Sequence, residues 1–346
     1  MASIDPPNKP ITLSDIAREL GITKMAVSKA LRGHKDISEL TRRKVEARAR
    51  KLGYVPNTTS RSLRFNRSHL VGVVVPSFMY SFFSEVMEGA NSVFESAEYQ
   101  SVLTVSGEDP EREVRQVEAL LSRQVEGLIV VSCQRRDDLE MFKRLQHRAI
   151  PFITVGRRVE KLKSCFVGVD NIAVGKIVTR HLIDCGHRRI AHLSGPENMT
   201  SIMRSQGYRE ALKTAGLPVI EQFIMSGERH VVADKVRALV QRRDRPDAIF
   251  AYNDAMAMEA FRVLKQAGLR IPEDVAVAGV GNNGFSDLLS SSLTTVDQHP
   301  QIMGRKAAEL LLRWLEEKRK PEERNIHIPV RLVVRESSGA KTPRRG

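Results

Sequence analysis

Three stretches of this 346-residue chain carry side chains whose types and spacing could do chemistry. The first is Thr23–Gly33, TKMAVSKALRG. Val27, Ala30 and Leu31 fall on one helical face, and Lys24, Met25, Ser28, Lys29 and Arg32 on the other. A short basic helix that follows another across a tight turn can read the major groove of DNA; the plainer alternative is a solvated surface helix. The second stretch is Gly279-Val280-Gly281-Asn282-Asn283-Gly284, which satisfies GxGxxG after an apolar run, with Asp297 eighteen residues beyond Gly279. This is a dinucleotide fingerprint and would suit a NAD-dependent oxidoreductase. Such a motif must open a helix in a βαβ unit, whereas this one runs through Ser290–Ser292 into LTTV, a strand-like segment, and therefore reads as a loop. The third stretch pairs His181 with Cys185 at i and i+4, with His187 and His192 close behind. Metal ligation needs a convergent set, and Gly186 ends the helix between them, so solvated or capping histidines are expected. The chain has no HExxH, Walker-A or GxSxG pattern. No catalytic nucleophile, metal or cofactor is expected, and the chain reads as a binding protein rather than an enzyme.

The elements that must hold the basic face are short. Leu13, Ile16, Ala17 and Leu20 give a first helical stripe, and Thr12 and Asp15 sit at the two positions of a capping box. Gly21 can end that helix in the left-handed conformation, and Thr23 can cap the next. Ser38 can cap a third helix whose apolar face is Val45, Ala49 and Leu52 and whose stop is Gly53. Three helices in about 55 residues leave a thin core. The polar, basic TTSRSLRFNRS that follows has too little apolar surface to fold alone and suits a linker that becomes helical on DNA. From LVGVVVP at Leu70 onward the texture changes to apolar runs, at Ser101–Val105, Gly127–Val131, Phe152–Val155, Arg189–Leu193, Ala248–Ala251 and Val275–Gly279. Helical stripes alternate with them, among them Phe82, Val86, Ala90, Val93, Phe94 and Ala97. That alternation predicts right-handed βαβ units in two doubly wound parallel-sheet lobes, with a ligand cleft at the carboxyl ends of the strands.

Charge supports the division. The formal net charge is +14, and residues 1–70 hold 15 Lys and Arg against 6 Asp and Glu, leaving only +5 for the other 276 residues. An excess gathered in one fifth of the chain points to a polyanionic partner for that fifth. Cys133, Cys165 and Cys185 are odd in number and form no CxxC pair, which argues for a reducing compartment. No apolar run approaches the roughly 20 residues that span a bilayer, so the expectation is a cytoplasmic, nucleoid-associated protein with no membrane partner.

These residues together resemble the lactose-repressor (LacI/GalR) family of bacterial transcription regulators. The resemblance is carried by ITLSDIARELGITKMAVSKALRG, by LGYVPNTTSRSLR, by VGVDNIAVGKIVTRHLIDCGHRRIAHLSGP with RSQGYREAL, by YNDAMAMEAFRVLKQAGLRIPEDVAVAGV, and by SLTTVDQHPQIMGRKAAELLL. It covers nearly the whole chain. It implies a small all-α helix-turn-helix DNA-binding domain at 1–56 and a hinge helix or linker at 57–69. It further implies a periplasmic-binding-protein-like α/β core at 70–340 and a basic tail at 341–346. Within the core, the N-lobe would take about 70–168 plus 299–327 and the C-lobe about 169–298 plus 328–340.

The family's function is then expected of this chain: a homodimer on a pseudopalindromic double-stranded operator, regulating, as a repressor, a carbohydrate-utilisation operon under a small effector. A purine-responsive regulator of the same family is the alternative, and a sugar-binding protein the alternative from another class. Matching positions for DNA contact are Thr12, Lys24, Met25, Ala26, Ser28, Lys29, Arg32, Asn57, Ser60 and the hinge leucine Leu63, which in the family wedges into the minor groove. Lys29 stands where Arg is usual and Ala26 where Thr is usual, and a lysine cannot form the planar bidentate contact to guanine. Positions matching the effector cleft are Phe82, Phe83, Arg157, Arg204, Asn253, Gly281 and Gln298. Gly156 and Gly281 align where several relatives carry acids that bind sugar hydroxyls. With those acids gone and Arg157 and Arg204 present, the resemblance implies a sugar acid or phosphosugar before a neutral sugar.

Overall fold

The computed structural model describes residues 11–54, 67–77, 81–134, 138–159, 161–162, 164–227, 229–322 and 325–339. Residues 57–66 of the expected hinge segment at 57–69, with Asn57, Ser60 and Leu63, lie outside the described residues. The chain divides into two compact units, Met1–Ser68 and His69–Gly346.

The first unit contains α1 (Leu13–Leu20), α2 (Lys24–Leu31) and α3 (Glu39–Lys51). Each start is fixed by the predicted cap. The Asp15 carboxylate accepts from the Thr12 amide at 2.9 Å and its hydroxyl at 2.7 Å; the Thr23 hydroxyl accepts from the Ala26 amide at 3.1 Å, and that of Ser38 from the Thr41 amide at 3.2 Å. Gly21 and Gly53 close α1 and α3 at φ +64° and +66°, where a Cβ would be strained. The core is small: Ile16, Ala17, Val27, Ala30, Val45 and Ala49 are buried, with Leu13, Leu20, Leu31 and Leu52 half-covered around them.

The second unit contains two six-stranded sheets. In the first, β1 (Leu70–Val75), β2 (Gln100–Val105), β3 (Gly127–Val130), β4 (Phe152–Val155) and β5 (Cys165–Gly168) run parallel and are joined by β11 (Asn325–His327), in the order β11-β5-β4-β3-β1-β2. In the second, β6 (Ile190–Gly195), β7 (Ile224–Ser226), β8 (Ala248–Ala251), β9 (Ala276–Val280) and β10 (Thr294–Asp297) are parallel and β12 (Arg331–Val333) is antiparallel, in the order β12-β10-β9-β8-β6-β7. The chain therefore crosses between the sheets after β5, after β10 and after β11. The continuous apolar runs appear as strands within a residue or two of their predicted ends. β7, β11 and β12 have only three residues each, too few for a run to be seen in the sequence, and β5, CFVG, was also not foreseen.

Helices seal both sheets through glycine contacts. Helix Pro300–Glu317 lies across Ser81–Ser96 so closely that a Cβ on Gly304 would sit 1.8 Å from the Val86 carbonyl oxygen, and one on Gly89 2.0 Å from that of Gln301. Helices Asn171–Asp184 and Met199–Thr214 meet the same way at Gly175 and Gly207. His192 on β6 is fully buried, contrary to the solvated or capping role expected for it. Its ring stacks on Phe250 at 4.4 Å and Tyr208 at 5.1 Å, and its nitrogens lie 3.1 Å from the Phe250 carbonyl and 3.0 Å from the Ser205 hydroxyl. The i, i+4 contact of His181 and Cys185 exists at 3.7 Å, yet His181 and His187 are taken by Ser338 at 2.8 and 3.1 Å, and no metal-holding group of His, Cys, Asp and Glu occurs among the described residues.

Two outcomes follow from this packing. Gly304→Ala drives a methyl into a backbone carbonyl and should cost about 3 kcal/mol, the upper end of overpacking; an unchanged urea midpoint would show that the two helices slide apart freely. His192 has its pKa lowered to about 3, because burial disfavours the imidazolium, against 6.5 for the free group. Between those values the unfolded chain binds the proton and the native one does not. Stability should therefore fall as pH drops from 6.5 towards 3, by up to about 1.4 kcal/mol per pH unit from this group. His192→Phe, which keeps the stack, should flatten that slope in denaturation series at stepped pH.

Candidate functional site

The outward face of α2 presents Lys24, Met25 and Arg32 to solvent, Met25 with 64% of its surface exposed. Ala26, Ser28 and Lys29 are half-buried. Arg32 donates from Nε to the Ser28 carbonyl at 2.9 Å, which lays its guanidinium along the helix. Lys29 is engaged within the unit: its ammonium donates to the carboxylate of Asp36 on the turn before α3. That hydrogen bond holds the Asp36 carboxyl below its usual range. Thr12 is exposed at the start of α1. Hence a cationic strip runs along α2, with one of its lysines counterbalanced by an acid that the sequence reading passed over.

In the second unit a cleft of about 280 Å³ opens where strands from both sheets end. Pro76, Glu108, Val131 and Arg157 reach it from the first sheet, and Pro196, Asn253, Gly281 and Gln298 from the second. Phe82, Phe83, Arg157, Arg204, Asn253, Gly281 and Gln298 all line it. Phe82 and Phe83 meet edge to face at 5.3 Å and form its apolar wall with Val105, Val131 and Met256.

The polar wall is built around Arg204 on helix Met199–Thr214, which is buried. Its Nε donates to Asn171 Oδ1 at 2.9 Å, Nη1 to the Tyr252 carbonyl at 2.5 Å and Nη2 to Gln298 Oε1 at 2.8 Å, with the guanidinium 5.0 Å over the Tyr252 ring. Among the described residues no carboxylate lies within ion-pair distance of it. Burial lowers its pKa to about 10, so it stays charged at neutral pH. Arg157 is the contrast. Both Nη atoms donate to the Glu108 carboxylate at 2.6 Å, and although burial works against the charged form, this pairing raises its pKa above the usual arginine value.

The glycine motif finds its reason here. Asp254, fully buried at the start of helix Asp254–Gln266, accepts from the Asn283 amide at 3.0 Å, the Ser286 hydroxyl at 2.7 Å and the Thr295 hydroxyl at 2.5 Å. A Cβ on Gly279 would lie 2.5 Å from its carboxylate and one on Gly281 3.3 Å away. The two glycines thus admit a buried carboxylate, not a pyrophosphate, and no helix follows them. Burial pushes the Asp254 carboxyl up despite its three donors. Asp254 and Glu108 were missed in the sequence because their partners lie far along the chain, and Thr200 because only the folded cleft places it there. Only the position of Asp254 at a helix start, where a carboxylate meets free amides, hinted at a role.

Two family models match the chain: bacterial regulatory proteins, lacI family, over residues 12–57, and periplasmic binding protein-like domain over 179–338. The HTH-type transcriptional regulator CelR of Thermobifida fusca is 34% identical over 339 residues, covering 94% of this chain and 98% of that protein. The HTH-type transcriptional repressor PurR of Vibrio parahaemolyticus is 31% identical over 331 residues, covering 94% and 97%. Among solved structures, a complex of the transcriptional regulator CelR with cellobiose matches with a TM-score of 0.71 and 31% identity, covering 94% of this chain and 99% of that one.

The Lys29–Asp36 pair is exposed and should contribute little to folding. Asp36→Asn should leave the melting temperature within about a degree, tighten binding to any duplex, and steepen the slope of log K against log salt by up to about 0.9 as Lys29 gains a phosphate. An unchanged slope in anisotropy titrations would show that Asp36 does not hold Lys29 back.

Proposed function

Because this chain belongs to the lacI family of bacterial regulatory proteins, we propose that it is a repressor of a carbohydrate-utilisation operon, gated by a small carbohydrate-derived effector in the cleft between its two sheets. The observation that carries the reading is the conjunction, in one chain, of a basic reading helix with a cleft whose buried Arg204 keeps a charge without a carboxylate partner. α2 enters the major groove, with Lys24, Met25, Ser28, Lys29 and Arg32 towards bases and phosphates. Thr12 and the capped start of α1 meet the backbone. Asn57, Ser60 and Leu63 act in the segment that follows α3. Two copies read a pseudopalindrome, since a twofold dimer presents two such helices to half-sites about one helical turn apart. The chain works as a binding protein in the cytoplasm and catalyses nothing.

In the cleft, Phe82 and Phe83 take the apolar face of a sugar, and Arg204, Asn253 and Gln298 its oxygens. Effector bound to both walls favours one separation of the sheets, and only this differential affinity can change operator binding. A sugar acid, a phosphosugar or a neutral sugar fits this frame, and the cellobiose complex of the CelR relative supports a carbohydrate. The similarity to PurR, together with the aromatic wall, supports a purine as the second reading.

Anisotropy titration of the purified chain against pseudopalindromic duplexes selected from a random library tests the reading. Affinity should fall steeply with salt and change on adding one compound of a carbohydrate panel. Arg204→Ala should bind the same duplex with affinity unchanged within a factor of three and lose the response to that compound. A chain that ignores every duplex at low ionic strength overturns the proposal, and a normal response in Arg204→Ala removes the arginine from the effector site.

A further inference from the structure

A hydrogen bond made wholly by the protein joins the two sheets of the second unit: the Ser81 hydroxyl donates to Asn283 Oδ1 at 2.8 Å. Ser81 opens helix Ser81–Ser96, which packs on the first sheet, and Asn283 lies in the loop after β9 of the second. Neither end is free to follow the other. Helix Ser81–Ser96 is locked to helix Pro300–Glu317 by the backbone approach at Gly89 and Gly304, where any Cβ would collide with a carbonyl oxygen. The Asn283 amide donates to the buried Asp254 carboxylate at 3.0 Å, and that carboxylate also takes the Ser286 and Thr295 hydroxyls. Asn282 beside it accepts from Arg335 Nη2 at 2.8 Å and donates to Asp297 at 3.2 Å. The bond therefore ties two firmly held bodies, and it breaks only when their separation changes.

One turn along the same helix, a second contact works the other way. Glu85 has its carboxyl pushed up by burial, against a hydrogen bond with Ser81, and further by the negative charges of Asp297 at the end of β10 and of Glu88. In its charged form Glu85 opposes the bond twice. It repels Asp297 of the second sheet, and its oxygens compete with Asn283 for the single Ser81 hydroxyl proton. A net protein hydrogen bond shifts an equilibrium by roughly two- to tenfold. That is small enough for a ligand in the cleft to override and large enough to set the balance on which it acts.

We propose that Ser81 and Asn283 are a positioning pair whose hydrogen bond latches the two sheets at one separation, that Glu85 and Asp297 oppose it, and that this balance sets the resting duplex affinity from which an effector acts. The link to DNA rests on the effector-gated reading given above; the latch is a property of the core. Ser81 is not among the residues that line the cleft, so its effect on duplex binding passes through the separation of the sheets.

Pulsed electron–electron distance measurement on the full-length protein tests the latch. Spin labels go on keto amino acids introduced at Glu111 and Asp234, both exposed and on the helices that follow β2 and β7, the sheet edges farthest from the crossovers at β5, β10 and β11. Labelled chain is diluted with unlabelled chain, so that each dimer carries one labelled copy. Ser81→Ala should raise the share of a longer distance by roughly two- to tenfold. Asn283→Ala, alone or combined with Ser81→Ala, should do the same and no more, since all three remove one bond. Ser81→Thr, which keeps the hydroxyl, should retain the native distances, and Glu85→Gln should shift the balance the other way. Duplex affinity in anisotropy titrations should follow, with Ser81→Ala and Glu85→Gln moving it in opposite directions, a pattern that general loss of packing does not give. Native distances in both Ser81→Ala and Asn283→Ala overturn the latch. Should Asn283→Ala fail to fold, Ser81→Ala against Ser81→Thr decides. Shifted distances with unchanged duplex affinity, or from a protein that binds no duplex, leave the latch in place and overturn its link to DNA.

Discussion

A guanidinium buried with no carboxylate partner among the described residues is the constraint from which the effector core is best understood. Removing a charge from water is expensive, and an ion pair offsets that only where the geometry is good. Arg204 is held instead by three neutral oxygens, drawn from helix Asn171–Asp184, from the end of β8 and from the segment after β10. Those partners come from three separate parts of the C-terminal sheet and its helices, so the arginine ties the elements that frame one side of the cleft. The cation–π contact with Tyr252 adds to the hold. The arginine thus stays charged while bound only to neutral oxygens.

The DNA-reading unit faces the opposite problem. Its six buried core residues among the described residues are small or branched aliphatics, and side-chain caps satisfy the free amides at the starts of α2 and α3. A unit with so small a core is lightly packed. The Lys29–Asp36 pair orders one side chain on this exposed face, and an exposed pair of that kind is weak.

Much of this architecture was legible in the sequence because it depends on local periodicity. Thr12, Thr23 and Ser38 cap the helices the spacing predicts, Gly21 and Gly53 end them, and Leu70–Val75, Phe152–Val155 and Ala248–Ala251 are strands because continuous branched apolar runs suit a sheet covered on both faces. The short strands β7, β11 and β12 were invisible, since three residues have no period. His192 was misread because its surroundings come from β8 and helix Met199–Thr214, 58 and 13 residues away, and nothing local says that a histidine on a strand will be sandwiched between aromatic rings. The cleft shows the same division. Arg157 and Arg204 could be singled out as cations, but Glu108, 49 residues before Arg157, decides which of them remains uncompensated.

The Gly279–Gly284 motif carries this reasoning furthest. As a string it asks for a phosphate, since glycines let a backbone approach an anion closely. The anion that approaches is one of the protein's own, the Asp254 carboxylate, which takes the Asn283 amide and the hydroxyls of Ser286 and Thr295. A larger residue at Gly279 would expel that carboxylate, and one at Gly281 would also have to adopt φ +146°. The negative charge on this wall is thus enclosed beneath the loop instead of projecting into the cleft. With the acid turned inward and Glu108 tied to Arg157, no lining carboxylate among the described residues is left without a protein partner. The same physical requirement that selects glycine for close approach therefore also keeps the Asp254 carboxylate beneath the loop.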